Sequence, residues 1–595
     1  MALAHQSGRE HDPHPLLRAA RDPDARDGGA DQPELGRAAR GGDRGGLADG
    51  GLDPGECAGP AAGPFPLRAQ REVGPAPASP VGEGSRRVTL HEILRFWAKR
   101  WPDRLAVRCT GTDISWGELD RLSDRVAAGL AGRDVAKGDR IGILMRNRPE
   151  FLYTMLGAMK AGAAVTLLNI RFTPREMLHP IRDAGIRLIV TEPRLAPALS
   201  AAVVEVAGLD VISTEPFDDW PTFDVLGDSD APVPDVAVGA DDVALVCYTS
   251  GTTGFPKGAM LTHGNLRESG IACAVPSGLT FEDRILVSLP LAYTWGSCQY
   301  LREGLAMGAT TVVIEPTSDP DRMIDVLERE RISVWSAVVV LFEKIAQSPR
   351  FRTADFSALR EAVTGAASAH LLQTWQSIGV RVTQAYGLTE TGGHATLLFQ
   401  EDAIRKLGSS GRAIMGMELR IADDRGAALP AGEAGEILLR GPGVMKGYIN
   451  DPAETAKAIQ DGWLRTGDTG VVDEEGFLRV VDRTKDMLKS GGLNVYPAEL
   501  ERVLAGVPGL EEFAVIGIGD TRWGEVPMIV AHGARALDLA GLRLRCTEEL
   551  ADYKRPHYVV EHGKPLPRTV SGKILKRDLR AVYAAVPEGA IRLKA

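Results

Sequence analysis

Apolar residues recur at helical spacing in Leu90-His-Glu-Ile-Leu-Arg-Phe-Trp97, which predicts a helix there. Residues 139–145 form a short apolar run that reads as a strand, followed by a helical pattern over 149–160 and a further strand over 163–168. Residues 187–191 and 242–248 read as strands too. Apolar strand runs alternating with helices imply βαβ units around buried, largely parallel sheets. From 408 to 482 the pattern changes to short strands with glycine turns, such as Gly435-Glu-Ile-Leu-Leu-Arg440. After Lys485 comes a smaller α+β unit with its own helix (498–504) and strand (513–518). The expected fold class is therefore α/β, a large N-terminal region of several subdomains with parallel-rich sheets, joined to a small α+β unit.

Residues 1–86 lack either periodicity. Stretches such as Arg40-Gly-Gly-Asp-Arg-Gly-Gly46 are rich in glycine and charge and cannot bury enough apolar surface to offset their ordering entropy. Either a disordered extension or a start codon set upstream of the true gene fits this composition.

Composition narrows the function. Of 595 residues, 44% are hydrophobic and 25% charged, enough for large cores. The net charge of −10 argues against binding nucleic acid through bulk electrostatics, so any phosphate site must be local. The six cysteines (Cys57, Cys109, Cys247, Cys273, Cys298 and Cys546) form no CxxC pair, which disfavours structural zinc and disulfides and suits a reducing cytoplasm. No apolar run is long enough for a transmembrane helix, and no secretory signal is expected.

The strongest chemical signal is Tyr248-Thr-Ser-Gly-Thr-Thr-Gly-Phe-Pro-Lys-Gly258, directly after a buried strand. Its glycines let backbone N–H groups converge on one point, hydroxyls add donors, and Lys257 supplies a point charge for a phosphate. It is not a Walker A loop, because Gly258 rather than Ser or Thr follows the lysine.

This segment resembles the phosphate loop of the adenylate-forming superfamily: acyl-CoA synthetases, peptide-synthetase adenylation domains and beetle luciferases. The resemblance runs in order from about Val88 to Lys576 and is strongest to an acyl-CoA synthetase. It implies ATP or AMP binding by Thr249, Ser250, Gly251, Thr252, Thr253, Gly254 and Lys257. Gln384-Ala-Tyr-Gly-Leu-Thr-Glu-Thr391 is similar to the second signature. The resemblance sets Tyr386 beside the adenine, with Gly387 near it, Thr389 at the α-phosphate, and Glu390, with Thr252, at Mg²⁺. Gly365, Ala366 and Ala367 resemble the loop flanking the adenine. Trp463-Leu-Arg-Thr-Gly-Asp468 resembles the ribose signature, in which Asp468 accepts from the ribose hydroxyls and Arg483 reaches the same sugar. Lys489, Gly491 and Gly492 resemble the loop lining the pantetheine channel of CoA. Near the C-terminus, Lys573 in Pro567-Arg-Thr-Val-Ser-Gly-Lys573 resembles the catalytic lysine, and Thr389 and Glu390 count with it.

Two departures fall near the expected acyl pocket, for which the resemblance nominates Tyr293, Ala385 and Gly387. Where many relatives carry an aromatic residue and then histidine, this chain has Ala292-Tyr293, a pair seen in benzoate-type ligases. The run Ala337-Val-Val-Val-Leu-Phe342 lacks a common proline. Tyr293 reads as a gate or as a core tyrosine.

The implied organisation is an extension (1–86), an adenylating region (87–484) and a mobile C-terminal lid (485–595) hinged at Lys485. The implied function is an ATP-dependent acyl-CoA synthetase acting on a fatty or aromatic acid, with ATP, Mg²⁺ and CoA. The alternative is a stand-alone adenylation enzyme that loads a separate carrier protein. A non-catalytic protein on this fold is disfavoured by Lys257, Glu390, Asp468 and Lys573.

Overall fold

The computed structural model describes residues 88–594 except 229–231, 250–255, 366, 368, 424, 484–487, 505, 511, 534–536, 568–573 and 575. The extension, Ser250–Gly254 of the phosphate loop, Ala366, Lys485 and Lys573 thus lie outside the described residues, as does the side chain of Arg483.

A seven-stranded sheet is built on Arg140–Leu144, Ala164–Leu167, Leu188–Thr191, Asp210–Ser213 and Val243–Thr249, all parallel to one another. Lys257–Thr262 returns antiparallel to Val243–Thr249. The helix Pro149–Lys160 begins with proline at its first turn, where a missing N–H costs nothing, and is buried over nearly its whole length. A nine-stranded sheet carries Arg284–Val287, Val334–Ser336, Glu361–Thr364 and Val382–Leu388 as adjacent parallel strands. Gly393–Leu397 folds back antiparallel on the last of them. These strands end in loops on one side, which is where parallel sheets offer a crevice for ligands.

The glycine-punctuated segment forms an antiparallel five-stranded sheet that includes Trp463–Val472 and Leu478–Arg483. Residues 452–458 depart from the expected run of short strands: Pro452–Ala458 is a helix, started by proline and capped by the Asp451 side chain. A six-stranded sheet over 488–592 follows, with separate apolar clusters on its two faces around Val515 and Ile516. Helices sit at Pro497–Leu504 and Leu539–Glu549. The α/β class with a smaller C-terminal α+β unit is as expected. Among the described residues, no helix is long and apolar enough to cross a membrane.

Candidate active site

The strand Val243–Thr249 delivers the chain into the glycine-rich loop, and the return strand brings Lys257 opposite Thr249. The Lys257 ammonium pairs with Glu454 on the helix Pro452–Ala458 and lies 5.3 Å from the centre of the Tyr448 ring. Lys257, and next Lys457, hold the Glu454 carboxyl down at about 2. The Tyr448 hydroxyl donates to Glu390 Oε1 at 2.8 Å. A lysine, a tyrosine and two carboxylates therefore converge between the start of the return strand and the turn Thr389–Thr391. Neither Tyr448 nor Glu454 was expected; the only local sign is an aromatic residue after glycine in Lys446-Gly-Tyr448.

Val382–Leu388 leads into the short turn Thr389–Thr391. The buried Tyr386 hydroxyl donates to Asp468 Oδ2 at 2.7 Å, joining the two signatures. In the sheet, Asp468 lies in register with Arg483, so the backbone brings these two together. The Ala367 N–H donates to Gln384 Oε1 at 2.9 Å, and Gln384 Nε2 donates to Ser409 O, which fixes the small-residue loop against the signature strand. A Cβ added at Gly365 would lie 3.4 Å from Ala385 O. At Gly387 a Cβ would come within 1.7 Å of Gly393 O, so only glycine lets these strands close.

Thr389 Oγ1 donates to Thr294 Oγ1 at 3.4 Å, which sets Tyr293 beside the same turn. Tyr293 is half-buried, and burial pushes its phenol up, with Tyr553, Arg171 and Lys554 acting on it electrostatically. It therefore stands at the junction with the C-terminal unit. Two residues on, Trp295 Nε1 donates to Ser336 Oγ at 3.3 Å and the indole meets His394 edge to face at 6.3 Å. His394 and Ser336 also line a narrow cleft, with Cys273, Ser277, Glu303 and Glu361.

On the C-terminal unit, Gly491 and Gly492 turn with φ of +58° and +81°, a conformation that side chains resist. The Gly491 N–H donates to Trp523 O at 2.7 Å, and the Lys489 N–H to Glu525 Oε2 at 2.9 Å. A Cβ on Gly492 would lie 3.8 Å from Val338, within the run that lacks proline. The unit is held in this orientation by Lys554, 2% exposed, whose ammonium bonds Glu176 Oε1 at 2.9 Å and Glu499 Oε1 at 2.8 Å. Sequence reasoning did not reach Lys554, because its partner Glu176 is 378 residues away.

Among the described residues, no group of three or more His, Cys, Asp or Glu side chains could hold a metal by itself. A cation at Glu390 would need other oxygens, and a polyphosphate supplies them.

Comparison with known proteins follows the same lines. Residues 94–449 match the family model for AMP-binding enzyme, and residues 499–573 that for the AMP-binding enzyme C-terminal domain. The chain belongs to the AMP-binding enzyme family. This AMP-binding enzyme is 39% identical to a feruloyl-CoA synthase of an Amycolatopsis species, over 81% of this chain and 96% of that protein. It is 35% identical to a long-chain-fatty-acid–CoA ligase of Mycobacterium tuberculosis, over 80% and 94%. Its fold is similar to o-succinylbenzoate CoA synthetase from Bacillus subtilis. With a double mutant of that enzyme bound to its product analogue OSB-NCoA, the TM-score is 0.72 at 32% identity, over 82% of this chain and 98% of that one. With the same enzyme in complex with ATP and magnesium, the TM-score is 0.62 at 32% identity, over 82% and 99%. This AMP-binding enzyme is an AMP-forming acid–thiol ligase, an acyl-CoA synthetase.

Proposed function

We propose that this AMP-binding enzyme activates a fatty or aromatic acid and hands it to CoA in two half-reactions on one site. Thr249, Ser250–Gly254 and Lys257 hold the phosphates of ATP, with Lys257 exchanging Glu454 for phosphate oxygen. Gly365–Ala367 and Tyr386 border the adenine, and Asp468 accepts from the ribose hydroxyls with Arg483 alongside. Glu390 and Thr252, with phosphate oxygens, would hold Mg²⁺, which when bound neutralises charge on the polyphosphate. A carboxylate oxygen of the acid attacks the α-phosphorus and pyrophosphate leaves. Thr389 and Lys573 stabilise the charge that builds there, a large term when the donors are preorganised. The CoA sulfur then attacks the acyl carbon, and the bond to AMP breaks.

The single observation that carries this reading is the approach of Gly492 to Val338. It supports a route for the pantetheine arm along the glycine turn, Lys489 included, toward the acyl pocket. The higher similarity to the relative bound to a CoA product analogue than to its ATP complex supports it. Residues 87–484 then form the adenylating body and 485–595 a lid pivoting at Lys485, with 1–86 dispensable. A cytoplasmic enzyme fits the supply of ATP and CoA. The test is to incubate enzyme and ATP with fatty and aromatic acids, adding CoA or a phosphopantetheinylated carrier protein. Acid-dependent pyrophosphate and a CoA thioester are expected. A thioester on the carrier alone, or no pyrophosphate with any acid, would overturn the reading.

A further inference from the structure

In the helix Pro174–Asp183, the residues Glu176, His179 and Asp183 are spaced i, i+3 and i+7 and share one face, while Met177, Leu178 and Ile181 bury the other side. Glu176, in the first turn, meets Lys554 of the C-terminal unit. His179 and Asp183 meet the two flanks of the phosphate loop. Before the loop, the Tyr248 hydroxyl donates to Asp183 Oδ2 at 2.6 Å. After it, His179 Nε2 lies 2.7 Å from Pro256 O. A carbonyl only accepts, so Nε2 carries the proton and donates. The imidazole also meets the Tyr248 ring edge to face, with centres 6.0 Å apart.

The contact to Pro256 stands where the strands stop holding the chain. Pairing between Val243–Thr249 and Lys257–Thr262 ends at Thr249 opposite Lys257, so Pro256 is the first residue beyond the ladder. Proline has no N–H, which leaves its carbonyl as the backbone group by which the chain is fixed at that point. His179 bonds that carbonyl. Lys257 is the next residue, and its ammonium, paired with Glu454, is the charge that a phosphate would take over. A shift of Pro256 therefore shifts Lys257, and a charge displaced from its productive position loses its hold on a bound reactant.

Resting on the acid-activating reading above, we propose that His179 is a positioning residue of the first half-reaction: its hydrogen bond to Pro256 O fixes the exit of the phosphate loop and, through it, Lys257 against the polyphosphate of ATP. It acts through Pro256 and not on the reacting atoms. One helix then serves both half-reactions from successive turns, with Glu176 turned to the C-terminal unit and His179 to the loop.

The test measures acid-dependent pyrophosphate release as a function of ATP, with an acid the wild type accepts, and separately thioester formation from supplied acyl-adenylate and CoA. His179→Phe keeps a ring against Tyr248 and removes the donor. It should raise KM for ATP about tenfold, the scale of one lost hydrogen bond, and lower kcat less than about threefold. Thioester formation should change less than about twofold. His179→Gln, whose amide N–H reaches much the same place as Nε2, should bring KM back to within about threefold of the wild type. An unchanged KM for ATP in His179→Phe, an equal loss in both half-reactions, or His179→Gln as impaired as His179→Phe overturns the positioning role and leaves acid activation standing. If His179→Phe does not fold, His179→Leu takes its place, and failure of both to fold makes His179 a core residue and overturns the role. No pyrophosphate from the wild type with any acid overturns both readings.

Discussion

Lys554 Nζ lies 2.9 Å from Glu176 Oε1, in a contact that joins the C-terminal unit to the helix Pro174–Asp183. Glu176 is also the capping-box residue of that helix: its N–H donates to Thr173 Oγ1, and its Oε2 accepts from the Thr173 N–H. Glutamine can still cap, so Glu176→Gln removes the charge and spares the helix. Glu499 remains on Lys554 at 2.8 Å, so the loss to this orientation is about 1–2 kcal/mol, the scale of one charged hydrogen bond. Thioester formation should fall roughly tenfold, with acyl-adenylate formation changed less than about twofold. Separate single-turnover rates check this, and equal losses in both steps would contradict a lid-orienting role.

Gly492→Leu puts a side chain between the glycine turn and Val338. The thioester step should fall by roughly 10², the cost of a misplaced reactant, while pyrophosphate release without CoA persists. Unchanged acyl-CoA production would rule out this turn as the thiol's route.

Lys573→Ala should do the reverse. Losing one preorganised cationic donor should slow adenylation by roughly 10²–10³. Thioester formation from supplied acyl-adenylate should be largely kept. A parallel loss in both steps would remove Lys573 from the first.

Glu361 gives a pH signature. Burial, with Glu303 nearby, lifts its carboxyl from 4.5 to about 7 in the fold, against the partial help of Ser277 and Arg360. The unfolded chain therefore loses this proton first as pH rises, and stability falls between about pH 4.5 and 7. Glu361→Gln has no proton to lose. Its Tm should match the wild type near pH 4 and exceed it at pH 8, by at most about 3 kcal/mol in stability at 1.36 kcal/mol per unit. A constant Tm difference across that range would mean Glu361 ionises freely.

Much of this was legible in the chain. Strands such as Val243–Thr249 and helices such as Pro149–Lys160 are runs whose apolar spacing is set locally. The candidate nucleotide residues could be nominated because each signature is contiguous: Tyr386 and Asp468 sit in separate motifs, and the fold joins them at 2.7 Å. What escaped depends on partners distant in sequence. Lys554 reads as a surface lysine until Glu176 and Glu499 enclose it. Glu303 reads as a helical surface acid until the strands carrying Ser336 and Glu361 bury it. Glu454 was hidden by a local misreading, since the helix Pro452–Ala458 is only seven residues long and interrupts a region of short strands.

The most direct measurement is a rapid-quench experiment with enzyme, ATP and an accepted acid, omitting CoA. Two half-reactions on one site should give about one equivalent of pyrophosphate and of acyl-adenylate per active enzyme, and CoA added afterwards should discharge the adenylate to acyl-CoA and AMP. Pyrophosphate that appears only once CoA is present, or ADP in place of AMP, would contradict it.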